Sequence, residues 1–246
     1  MLPLDHLPFP ARDLSLLARG FEGLGFTVSP PGAYSSTDFP QARWPNRAVF
    51  LRTGWFDLLQ DDGLDPDIPS APRAVLFRTA DLEASAKVFS DVRTEAPYRL
   101  ERRWDRDLGL PPETFRLFSI RERIAPVGLA VIEHAWPCPD IAPAWTEHAN
   151  GALAIAGLTF GGAEPGPAAA QCGARLDLSG FEYLDAEAFT ARFGPCRRPS
   201  AVRIKVRSLS RARTALDLRG TAYATHGDTL SLPPQGALGC AFSFFE

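Results

Sequence analysis

Cysteine is scarce in this chain: four residues, Cys138, Cys172, Cys196 and Cys240, stand far apart with no CxxC pair among them. That spacing argues against a disulfide framework or a zinc site and leaves reduced thiols, as in the cytoplasm. Charge of one sign is lacking too. Over 246 residues the net charge is -3, which gives no electrostatic footprint for nucleic acid and no polybasic stretch for an anionic membrane. The most basic patch, Arg197, Arg198, Arg203, Lys205, Arg207, Arg211 and Arg213, reads as a solvated strand–helix face. No stretch approaches the ~20 apolar residues of a membrane span. The N-terminus carries Asp5 and His6 where a signal peptide would be basic and then apolar, so a cytoplasmic location is expected. Nucleophile elbows and EF-hand loops are absent. Gly161, Gly162 and Gly166 lack the spacing of a nucleotide fingerprint, which excludes the common phosphate-binding enzymes.

What is present is an ordinary globular composition, 45% apolar and 22% charged, and a pattern that recurs. A short apolar run at residues 3–9 is followed by Leu14, Leu17, Ala18, Phe21 and Leu24 at helical spacing, with Asp13 placed to cap the helix. Strands are expected at 26–29, 47–52 and 55–60. The order returns with a strand at 73–79, a helix capped by Asp81, and strands at 98–104, 114–122 and 128–134. A third copy opens at 152–160 and passes through a Gly/Pro/Ala loop into a shortened helix. A fourth opens at 201–206, continues into an Arg-rich helix capped by Ser208 or Ser210, and ends with strands at 221–225, 229–232 and 239–245. Four βαβββ modules in one chain make an α+β protein of two paired-module barrels, residues 1–137 and 144–246, joined by the proline-rich segment 136–143. Pairing buries the apolar sheet face that each module alone would expose.

The motifs then carry a resemblance. LDHL at 4–7, GLGF at 23–26, WPNRAVFL at 44–51, GWFDLLQ at 54–60, EHANGALAIAGLTF at 147–160 and FEYLDAEAFTARFG at 181–194 resemble the vicinal oxygen chelate superfamily. This is the glyoxalase/bleomycin resistance/dioxygenase fold, and the segments at 44–51 and 147–160 look like its two-domain glyoxalase-like group. That resemblance implies a small-molecule substrate or ligand. It also implies a divalent metal (Zn, Fe, Mn or Ni) held inside a cupped sheet with positions open for two neighbouring substrate oxygens. Carried over residue by residue, His6 and Asp57 are the first-half ligand places, and Ala74 stands at the first-strand place of the second module. The end of that module offers His134 as the third metal ligand, with Glu133 on the opposite face as reserve ligand or catalytic base. In the second half the corresponding places hold Gly157 and Ser243, so that half is expected to be a metal-free structural partner.

Two readings therefore stand open. One is a metal-dependent lyase, isomerase or dioxygenase. The other is a protein that binds or sequesters a small molecule through a decayed metal site, as a monomer or homodimer. His6 also reads as a hydrogen-bonded core histidine. Asp57 also reads as the partner of Arg47 or Arg52, and His134 as a capping group beside a turn. His148 and Asn150 are expected to bond local backbone, His226 to be solvated in a hairpin, and Tyr34, Trp44 and Trp55 to pack in the core or line a pocket mouth.

Overall fold

The computed structural model describes residues 1–41, 43–105, 112–124, 126–135 and 143–246. Cys138 and most of the expected connection 136–143 lie outside the described residues. The first half is a closed eight-stranded barrel. Its first module is β1 (Leu4–Ala11), α1 (Leu14–Gly23), β2 (Gly32–Ser35), β3 (Arg43–Phe50) and β4 (Trp55–Gln60). Its second is β5 (Ala74–Thr79), α2 (Leu82–Val88), β6 (Tyr98–Trp104), β7 (Glu113–Ile124) and β8 (Val127–Ala135). The strands close in the order β1-β4-β3-β2-β6-β7-β8-β5. In each module the first strand runs parallel to the last, and β1 meets β5 antiparallel.

The helix starts follow their caps. The Asp13 carboxylate accepts from the Leu16 N–H at 2.8 Å, and Asp81 accepts from Ala84 at 2.9 Å. The expected strand at 26–29 does not form. Phe26 turns into the core, Ser29 makes only a two-bond bridge to Ala48, and Pro30-Pro31 break the ladder before β2 begins.

The second half keeps the module order but shortens one module. It contains β9 (Ala152–Gly161), α3 (Pro167–Cys172), β10 (Glu182–Leu184), α4 (Ala186–Phe193), β11 (Ser200–Val206), α5 (Leu209–Asp217), β12 (Ala224–His226), β13 (Thr229–Leu232) and β14 (Ala241–Phe245). These strands form one sheet, β10-β9-β11-β14-β13-β12, so this half is an open half-barrel. The third module holds only its first and last strands, β9 and β10, paired in parallel as in every other module. α4 follows β10 and lays Phe189 and Phe193 on Ala201 and Ala241. Ser208 caps α5, accepting from the Arg211 N–H.

One apolar core runs through both halves, from Phe9, Phe21, Phe26 and Phe56 to Phe242 and Phe244. The motif HANG fastens them together. His148 Nδ1 accepts from the Thr27 N–H at 3.0 Å, and its Nε2 donates to the Phe50 carbonyl at 2.9 Å. Asn150 donates to the Leu24 carbonyl, and its own carbonyl accepts from Ala152. The expectation of local bonding holds only for Asn150 with Ala152; the other three bonds cross 98 to 126 residues of sequence. These two roles need a neutral imidazole, and burial pushes the His148 pKa down accordingly. Among the described residues no helix is long and apolar enough to cross a membrane.

Candidate functional site

Alternation along the strands sorts each barrel residue. On β4, Phe56 and Leu58 face the shared core, while Trp55, Asp57 and Leu59 face the barrel interior. On β1 the same rule turns His6 and Pro8 inward. They enclose a cavity of about 260 Å³ whose other walls are mainly Leu76, Leu100, Phe115, Leu117, Ala130 and Ile132. Its few polar groups are His6, Tyr34, Asp57, Tyr98 and Ser119.

The module repeat explains why there is space. Superimposing the two helix caps, Asp13 on Asp81, places His6 on Ala74. The ladders then carry Asp57 onto Ala130, since Pro8 pairs with Asp57 and Leu76 with Ala130. Ala74 and Ala130 both line the cavity. They stand where the first module carries His6 and Asp57, and their small side chains leave open space in the barrel. His134 is four residues beyond Ala130, at the barrel mouth.

His6 lies flat on Trp55, ring centroids 4.2 Å apart. Its Nδ1 is 2.8 Å from the Asp5 carboxylate, and His134 Nε2 is 3.1 Å from the same oxygen. Asp5 is a site residue that alternation hides, because neighbouring strand residues face opposite ways. A register shift between Leu4 and His6, on the edge facing β5, lets both residues reach the same mouth. Burial alone pushes the Asp5 pKa up, but the hydrogen bonds from His134 and His6 reverse this and hold it well below the usual carboxylate range. An ionised carboxylate only accepts, so both imidazoles donate. His6 donates through Nδ1–H, and when neutral it keeps Nε2 as an acceptor. Trp55 and Phe115 pack edge-on against His134. Glu133 faces the other way, to the outer surface, where it accepts from Arg116 at 3.2 Å.

Asp57 pairs with neither Arg47 nor Arg52. Its carboxylate accepts from the Asn46 amide at 3.2 Å, because Ala48 is its ladder partner and Asn46 is the next inward residue on β3. Tyr34 shares the cavity wall with it. Tyr34, Arg102 and Glu113 occupy one cross-strand row of β2, β6 and β7. Arg102 is fully enclosed, bonds Glu113 and donates to the Tyr34 hydroxyl at 3.4 Å. Its guanidinium sits among the rings of Tyr34, Phe50, Trp104 and Phe115. Arg102 and Glu113 neutralise each other, which leaves Asp57 as the odd carboxyl. Burial pushes its pKa up despite the pull of His6 and Arg102.

That shift has a sign that can be checked. A buried carboxyl whose pKa rises on folding costs stability once the pH exceeds its unfolded value of 3.8, and more so up to its folded value. Asp57→Asn keeps an acceptor for Asn46 and removes the charge. Thermal melts should show the variant more stable than wild type near neutral pH, with the advantage vanishing toward about pH 4. A variant less stable than wild type at neutral pH would show that Asp57 is ionised and well paired.

The family follows from the sequence over this same region. A family model described as a glyoxalase-like domain matches residues 4–176. The chain belongs to that family. The fold agrees: four modules of the vicinal oxygen chelate type, two of them closed into a barrel. A mutant of 4-hydroxymandelate synthase from Streptomyces coelicolor is similar, with a TM-score of 0.57 and 12% identity over 99% of this chain and 92% of that one. A xylose isomerase-like TIM barrel/4-hydroxyphenylpyruvate dioxygenase fusion protein gives 0.51 and 11%, over 98% of this chain and 48% of its own. A methylmalonyl-CoA epimerase in complex with methylmalonyl-CoA and NH4+ is 17% identical over 55% of this chain and 96% of its own, with a TM-score of 0.38. At such identities the likeness concerns fold alone. No curated protein matches the sequence.

Proposed function

We propose that this glyoxalase-like protein binds a small, mostly apolar single-ring molecule in its barrel cavity without a resident metal ion. The observation that carries the reading is the pair Ala74 and Ala130 at the second module's ligand places. Only His6 and Asp57 remain of a four-place set, and the alanines widen an apolar pocket. The donors present do not fit a divalent ion. His134 turns its Nε2 to Asp5, and Asp57 accepts from Asn46. Among the described residues no three His, Cys, Asp or Glu side chains are grouped to hold one. The metal-dependent lyase, isomerase or dioxygenase alternative keeps two supports, His6 and Asp57 on the cavity wall, and lacks a third. A cytoplasmic location belongs to the same reading, supported by the free thiols of Cys172, Cys196 and Cys240.

Volume and polarity define the ligand class. An apolar cavity of ~150 Å³ holds benzene, so one of this size takes a substituted ring. Tyr34 and Asp57 offer one polar contact, and a carboxyl that resists ionisation favours a neutral partner such as a phenol over an anion. p-Cresol should therefore raise the melting temperature of the wild type; at a hundredfold excess over Kd the stabilisation is about 2.7 kcal/mol. Ala130→Phe, which fills the pocket, should fold and lose that response. A wild type indifferent to a panel of neutral single-ring compounds, or a response that survives Ala130→Phe, would remove the basis for the proposal.

A further inference from the structure

The half-barrel has a concave face of its own, distinct from the barrel cavity. Across β9, β11, β14 and β13 one row of residues reads Gly157, Arg203, Ser243 and Ser231, each paired with the next. Gly157 and Ser243 are the two places where the repeat pattern seeks ligands and finds none. Arg203 stands between them on the one remaining first strand, and it opens onto a cavity of about 500 Å³ shared with Arg192, Thr229, Ser243 and Phe245.

Three features of this row are unexplained by the fold. Ser243 and Ser231 are each 1% exposed, yet neither hydroxyl has a hydrogen-bond partner. A buried hydroxyl left without a partner carries an uncompensated desolvation cost. Arg203 donates through one Nη to the Gly180 carbonyl at 3.0 Å and lies over the Phe245 ring at 5.4 Å. Among the described residues no carboxylate lies within ion-pair distance of it, so most of its five donors are uncommitted. Of the other cations and anions around the cavity, Arg192 has an ionic partner, whereas Asp228 and Glu246 keep their charge. Arg192 is paired with Glu182 at 3.3 Å, Glu246 accepts from the Leu209 N–H at 2.8 Å, and Asp228 sits at the hairpin rim.

From this we infer that the half-barrel carries a second ligand site, which takes a small monocarboxylate on Arg203 and the Ser243 hydroxyl with its apolar part on Phe245. An arginine fork matches a carboxylate in plane, and a serine hydroxyl supplies a third donor. Asp228 and Glu246 at the rim oppose a second negative charge, which selects a monoanion over a phosphate dianion.

Sodium benzoate and inorganic phosphate are the probes, titrated into the full chain and followed by amide chemical shifts. Benzoate should perturb the residues around Arg203 and bind more tightly than phosphate. Arg203→Met should weaken it by roughly tenfold or more, and Ser243→Ala by severalfold. Arg203→Lys keeps the charge and loses the fork, so its affinity should fall between them; with Ser243→Ala it keeps the test open if the methionine variant melts early. Ala130→Phe should leave benzoate binding unchanged, which separates this site from the barrel cavity. Benzoate affinity unaltered by the Arg203 and Ser243 variants, phosphate binding the tighter of the two, or no binding of either would overturn the inference.

Discussion

Arg102→Ala will be among the most destabilising single substitutions in the chain, costing about 3–5 kcal/mol by leaving Glu113 buried without its partner. Arg102 is 1% exposed and Glu113 is 5% exposed. They are ladder neighbours with their side chains on one face, so neither can turn to water without breaking the barrel wall. The guanidinium also packs against four aromatic rings, and that cage loses its filling as well. For a chain of this size the expected fall in Tm is roughly 10 °C. The pair itself is a different matter from its broken half. Arg102→Met combined with Glu113→Leu removes both charges together and should recover much of the loss, so the two substitutions should be strongly non-additive in a double-mutant cycle. Additive effects, or a mild single mutant, would show that water reaches this end of the barrel.

Gly157→Ala should cost about 4 kcal/mol or more, a magnitude reserved for a few mechanisms, of which backbone collision is one. Gly157 has a φ of +147°, and a methyl there would sit on the Gly180 carbonyl. The relation is mutual, since a methyl on Gly180 would meet the Ala156 carbonyl. The segment before β10 crosses β9 at this point backbone against backbone, which only two glycines permit. The absence of a ligand at position 157 thus has a physical cause: the crossing chain takes up the place a side chain would need. The substitution should also loosen the Arg203 bond to Gly180, so benzoate affinity and melting temperature should fall together. Ser243→Ala, by contrast, should change affinity with little loss of stability.

Much of the fold was legible because local chemistry and tertiary demand agree. Asp13 and Asp81 cap helices where their spacing from an apolar run predicts, and β13 spans residues 229–232 as read. Disagreement arises where distant parts of the chain decide. Residues 26–29 have the apolar look of a strand, but Phe26 is claimed by the inter-half core and Thr27 by His148. The third module's missing strands leave no trace in periodicity, because the helix at 186–193 reads the same whether it covers a barrel or fills half of one. At the site, alternation alone put His6 and Asp57 on the barrel interior and separated His134 from Glu133. It failed for Asp5, because the register shift on β1 suspends alternation. Arg102 was missed because an arginine beside another in a strand reads as solvated; only the cross-strand row with Glu113 and Tyr34 explains its burial. The ladder register, which periodicity does not reveal, puts Ala130 and not His134 opposite Leu76.

The barrel cavity is proposed to bind its ligand without a resident divalent ion, and metal stoichiometry tests this most directly. Wild type, His6→Ala and Asp57→Ala should be purified without chelators and analysed for metal. Each should then be titrated with Zn, Mn, Ni and Fe(II) while its melting temperature is followed. Substoichiometric metal in all three proteins, with no melting shift that depends on His6, is the result predicted. About one equivalent of a divalent ion in the wild type, lost in both variants, would contradict it and restore a metal-dependent reaction at His6 and Asp57.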